Sequence, residues 1–173
     1  MKVLNLLRSR LATLEAATFL PHFAIWRTRE KRVQMRLVLG TRHPMGVFVF
    51  RSVESKVEQL QVEQRRRARE DGLGLQSLFS DEQLNALELQ ADGVGSDRNL
   101  AQAKRFLAAH IKKHEQGVTF RQFAARCMTA VPVRETHVKD LLSELRAEGK
   151  ITFTLPANKR KLDMDDLVFP GGA

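Results

Sequence analysis

The chain has 173 residues, 43% of them hydrophobic, and carries 29 Lys/Arg against 20 Asp/Glu for a net charge of +9. That length and apolar content exclude a disordered chain and allow one domain, or two small ones, with a real core. No apolar run approaches the ~20 residues of a membrane span, Arg8 and Arg10 interrupt the N-terminus too early for a signal peptide, and a single cysteine fits a reducing cytoplasm.

The charge is unevenly spread. Residues 1–69 hold 15 Lys/Arg against 5 Asp/Glu, residues 70–100 hold 1 against 7, and residues 101–173 hold 13 against 8. Two basic blocks therefore flank an acidic connector. A basic surface attracts phosphate backbones through counterion release; the alternatives are a solvated surface or an acidic protein partner.

In chain order, Val3, Leu6, Leu7, Leu11 and Leu14 predict an amphipathic helix over residues 2–17 that packs on this chain or another. Residues 18–26 and 33–41 read as an antiparallel hairpin, with Val33, Met35, Leu37 and Leu39 on one apolar face. Pro21 marks an edge strand or a bulge. A lone hairpin is marginal in water, so this one must lean on helices or join a larger sheet. Residues 40–46 form a turn with Gly40 and Pro44 as punctuation, where Arg42 and His43 either meet an anion at the next helix or cap its backbone. A long helix follows, with Phe50, Val53, Val57 and Leu60 as its apolar stripe. It ends in a cluster of Arg65, Arg66, Arg67 and Arg69. These arginines are either a phosphate patch or a solvated helical end favoured by the dipole.

Residues 70–99 are the natural boundary, where four glycines bracket a short helix started by the Ser80/Gln83 capping box. Gly93 and Gly95 make no nucleotide fingerprint, because no strand precedes them and no third glycine follows. Leu100, Phe106, Leu107 and Ile111 define the next helix, from about Asp97. His110 and His114 share one side of it, the geometry of two zinc ligands, but no acidic or cysteine partner completes a site and exposed histidines are the better account. Thr119 starts a further helix with Phe120, Phe123, Ala124, Cys127 and Met128 on one face. Cys127 on that apolar face reads as an inert core residue rather than a nucleophile. Pro132 stops this helix. Residues 135–148 form the next, with Val138, Leu141, Leu142 and Leu145 buried, and Gly149 supplies a left-handed cap. Residues 151–155 read as a strand, 156–161 as a basic turn and 162–169 as the return strand.

The fold class expected is α+β and mostly helical: an N-terminal helix, β-hairpin and long helix, then a C-terminal winged helix-turn-helix. Its divisions are residues 1–70 for docking, 71–97 as connector and 98–173 as the winged unit. In such a unit the second helix offers its N-terminal residues to the major groove. The nucleic-acid contacts expected are therefore Arg134, Thr136, His137, Lys139 and Ser143, with Lys159, Arg160 and Lys161 at the wing tip. Glu135, Asp140 and Glu144 share that surface and weaken the case.

The strand at residues 35–41, the turn Arg42-His43-Pro44-Met45-Gly46, the helix after it and the closing run at residues 141–151 carry a resemblance. Over roughly residues 18–155 the chain resembles the C-terminal part of the three-Cys-motif partner protein family. Members look like class I methyltransferases with a helical, winged-helix-like tail, and are bacterial or phage proteins encoded beside a radical-type partner. The resemblance implies that residues 18–41 are the last hairpin of a methyltransferase-like sheet. The preceding sheet and its glycine-rich cofactor loop have no counterpart here, so no cofactor and no catalysis by this chain alone are expected. The expected role is a cytoplasmic nucleic-acid-binding accessory subunit, of DNA first, in a mobile-element, DNA-modification or defence system. The alternatives are a protein–protein adaptor that completes a partner's sheet, and a methyltransferase-like remnant that needs a cofactor-binding partner.

Overall fold

The structure, a computed structural model, describes residues 2–13, 17–26, 33–73, 93–155 and 161–172. The short helix expected after Ser80 and most of the acidic connector lie outside them, as does the turn holding Lys159 and Arg160. Five helices are described: α1 (Lys2–Thr13), α2 (Pro44–Leu73), α3 (Asp97–Ile111), α4 (Phe120–Ala130) and α5 (Glu135–Ala147). The strands β1 (His22–Trp26) and β2 (Val33–Val38) form one antiparallel sheet. A second sheet holds β3 (Val118–Thr119), β4 (Ile151–Thr152) and β5 (Leu167–Pro170) in the order β3-β5-β4. The fold is α+β and mostly helical, and no described helix is long and apolar enough to cross a membrane.

Local chemistry places most of these ends. Ser96 Oγ accepts from the Asn99 amide to start α3, and Thr119 Oγ1 does the same for Gln122 in α4. The Val131 amide still bonds back to Cys127, and Pro132 then ends α4 in extended geometry. Gly149 closes α5 at φ 71°, a conformation that a Cβ would strain. The return strand is shorter than the 162–169 expected, because its early backbone serves a helix instead. Asp166 and Met164 carbonyls accept from the Phe120 and Arg121 amides, filling donors that the start of α4 leaves open.

The core gathers Leu107 and Ile111 of α3, Phe120, Phe123 and Met128 of α4, Val138, Leu142 and Leu145 of α5, and Val168 of β5. Burying one such aliphatic side chain contributes about 1.5–3 kcal/mol. The same core continues into Phe19, Val47 and Phe48, so the first half of the chain shares it.

The hairpin pairs as expected, from His22 opposite Val38 to Trp26 opposite Val33, with an irregularity between Ile25 and Trp26. Pro21 sits just before β1, where its carbonyl accepts from the Leu39 amide, and its missing N–H leaves the return bond of that pair unmade at the start of the ladder. Phe23 packs on Phe50 of α2 with ring centroids 5.2 Å apart. The apolar face expected on β2 is not buried: Met35 is 48% and Leu37 42% exposed. The stripe expected on α2 is also wrong in part, since Val53 and Leu60 face solvent while Val47, Phe48, Arg51, Glu54 and Val62 are buried. Packing against α4 chose that second face, and the apolar pattern alone did not distinguish the two.

Candidate nucleic-acid interface

At its N-terminus α5 leaves the turn through Arg134, whose amide donates to His137 Nδ1 at 3.3 Å. The His137 ring lies under Gly95, where an added Cβ would come within 2.0 Å of it. Gly95 in turn holds φ 80° and donates its amide to the Pro132 carbonyl. His137 thereby locks the start of α3 to the turn before α5. Burial, with Arg134 alongside, pushes its pKa below the ordinary value.

The remaining expected contacts divide between two concavities. Arg134 and Thr136 line one of about 150 Å³ with Phe48, Arg51, Ser52 and Met128, facing α2. Lys139, Ser143 and Lys161 line the other, of about 180 Å³, between α5 and the segment after β4. Asp140, Arg146, Phe153, Leu155 and Leu162 complete that groove. Lys139 Nζ lies 2.7 Å from Glu135 and 5.3 Å from the Phe120 ring centre. The Ser143 hydroxyl donates to the Lys139 carbonyl at 3.0 Å. The Arg146 guanidinium carbon lies over the Phe153 ring, 4.6 Å from its centroid, a contact that periodicity could not have announced.

The carboxylates that weakened the case for phosphate are largely engaged. Glu135 holds Lys139, while Glu144 and Glu148 both reach Lys104 of α3, at 2.6 and 2.8 Å. Glu148 also meets Lys150 at 2.7 Å. Hydrogen bonds from these two lysines pull its carboxyl down to about 2, and the same contacts with Glu144 and Glu148 raise Lys104. The pairing of Lys104 across helices is a tertiary fact with no mark in the local sequence.

The other basic candidates are structurally occupied or dispersed. His43 caps α2: its Nδ1 accepts from the Met45 amide at 3.3 Å, and its own amide donates to Thr41 Oγ1. Of the two roles weighed for it, backbone capping is the one seen. Arg42 is exposed beside it. The arginine cluster is not a helix end, because α2 runs on to Leu73. Arg65 Nε donates back to the Gln61 carbonyl and Arg67 pairs with Glu63; Arg66 is partly buried, and the side chain of Arg69 lies outside the described residues.

Cys127 is fully buried, and desolvation pushes its thiol up to about 12, so it has no nucleophile's niche. His110 stacks on Phe106 at 4.5 Å and stands 6.3 Å from the His114 ring. Among the described residues no three His, Cys, Asp or Glu side chains are grouped to hold a metal.

One constellation escaped the sequence reading. Arg51 is 2% exposed, donates to the Met128 carbonyl at 2.6 Å and the His22 carbonyl at 3.3 Å, and pairs with the equally buried Glu54. It ties α4, β1 and α2 together. Their spacing of three residues was visible, but a buried ion pair on a helix reads like any solvated one. No family model, no curated protein and no solved structure matches this chain.

Proposed function

We propose that this chain is a nucleic-acid-binding protein, with duplex DNA as its first ligand, and that residues 97–172 act as a winged helix-turn-helix. The order of elements supports that reading: helix α3, strand β3, helices α4 and α5 joined by a short turn, then β4 and β5. The observation that carries it is the groove beside α5. Lys139, Arg146 and Lys161 converge there beside Ser143, whose hydroxyl proton is held by the Lys139 carbonyl. The neighbouring Glu144 and Glu148 share Lys104, and Glu148 also meets Lys150, while Asp140 remains in the groove lining. Binding is the role proposed, since nothing in the groove resembles an activated nucleophile.

Phosphate contacts release counterions, so affinity for a labelled duplex falls linearly in log–log form, with a slope of about 0.9 per neutralised phosphate. Replacing Lys139 and Lys161 by Gln keeps their stems and removes their charge. The double variant is expected to weaken binding alike for unrelated sequences and to flatten the salt slope by about 2. An unchanged slope would remove the groove from the interface.

A further inference from the structure

The two edges of the β1–β2 hairpin are treated differently, and the difference follows from the register. Phe19 pairs with Thr41 by reciprocal backbone bonds, and Leu39 donates to Pro21. Antiparallel ladders alternate, so Phe23/Leu37 and Ile25/Met35 are the inward-bonded pairs. The backbone groups of His22 and Ala24 then point away from β2, and those of Arg36 and Val38 away from β1; the irregularity between Ile25 and Trp26 breaks the alternation before Gln34.

On the β1 side, α2 closes the edge. Arg51 Nη1 donates to the His22 carbonyl at 3.3 Å, and the Trp26 amide donates to Gln61 Oε1 at 3.1 Å. On the β2 side, no described residue bonds the outward groups of Arg36 or Val38. This open edge carries exposed Met35 and Leu37 on one face and exposed Arg36 on the other. From residue 33 to residue 43 the chain has Arg36 and Arg42 and no carboxylate.

We infer that the outer edge of β2 receives an extended acidic segment of a protein partner as a third strand. Its backbone would bond the outward groups of Arg36 and Val38. Apolar side chains at alternate positions would cover Met35 and Leu37, and an acidic side chain would stand opposite Arg36. A second copy of the same chain fits less well, because antiparallel self-pairing about Arg36 sets two guanidinium groups directly opposite. A phosphate backbone has no use for the open carbonyls or the apolar side chains. The edge is thus selective: a charged residue on an exposed strand deters indiscriminate pairing and admits the complementary charge.

This inference is independent of the nucleic-acid reading, and its test is separate. The probe is a fluorescein-labelled, end-capped seven-residue peptide of alternating valine and glutamate. Fluorescence anisotropy against the full chain is compared with a control carrying lysine for glutamate. The glutamate peptide is expected to bind about tenfold more tightly, a difference of ~1.4 kcal/mol. It should slow amide exchange at Arg36 and Val38, and lose binding when its alternate amides are methylated. Arg36→Glu should invert the preference between the two peptides while leaving the hairpin's circular dichroism unchanged. Equal binding of both peptides, no binding, protection located elsewhere, or displacement by duplex DNA would each overturn the inference. So would a concentration-dependent dimer that protects residues 34–38 without any peptide, which assigns the edge to a second copy.

Discussion

Arg51 shows what a single buried charge does in this fold. Its guanidinium bonds Met128 and His22 and faces Glu54 where water does not reach. Removing one member of such a pair costs about 3–5 kcal/mol, whereas an apolar replacement of both is often neutral. Arg51→Met is therefore expected to lose most of that amount in urea denaturation at pH 8, and Arg51→Met with Glu54→Leu to recover much of it. Burial also raises the Glu54 carboxyl from 4.5 to about 7, a larger effect than the opposing pull of Arg51. Between those values the folded chain keeps a proton that the unfolded chain releases. Stability from this group is complete below pH ~4.5, declines as pH climbs to about 7, and is level beyond. Glu58 moves in the same direction, raised by burial despite the bond it accepts from the Val94 amide. Glu54 thus lowers the urea midpoint at pH 8 relative to pH 5, against the opposite pull of His110 and His137, and Glu54→Gln should raise the pH 8 midpoint relative to that at pH 5.

Among the elements, α5 separates stability from the binding proposed for it. Its buried face of Val138, Leu141, Leu142 and Leu145 anchors it, and Leu142→Ala should cost about 2–5 kcal/mol. Its outer face is set by α3, because Lys104 neutralises Glu144 and Glu148. Lys104→Ala is expected to leave the melting temperature unchanged, as exposed pairs contribute little, yet to weaken duplex binding by freeing Glu144, while Glu148 keeps Lys150. Equal duplex affinity in that variant would show that α5 does not face the phosphates. The caps of these helices were legible in the sequence: Thr119, Pro132 and Gly149 act through bonds within a turn or two of themselves. Lys104 was not legible, since its partners lie on another helix, 40 and 44 positions along the chain.

For the molecule as a whole, the consequential feature is the core shared between α2 and the helices after residue 96. Val47, Phe48 and Phe19 belong to the same apolar cluster as α4 and α5, and Arg51 bonds across the same contact. The only tryptophan, Trp26, reports on the hairpin from β1. Thermal unfolding followed by Trp26 fluorescence and by far-ultraviolet helical signal should give coincident transitions. An earlier fluorescence transition would mean that the hairpin melts apart from the remaining core.

The sequence by itself determined where the described helices after residue 96 begin and end, and that residues 22–38 pair as a hairpin. Such features depend on caps, proline, glycine and alternation, whose effects are confined to neighbouring residues. Tertiary structure decided which face of α2 is buried, turning in Arg51 and Glu54 while Val53 and Leu60 stay in water. It decided too that β1 is closed by Arg51 and Gln61 while no described residue bonds the outer edge of β2. Burial depends on what is brought against a surface, and the partners here are distant in the chain.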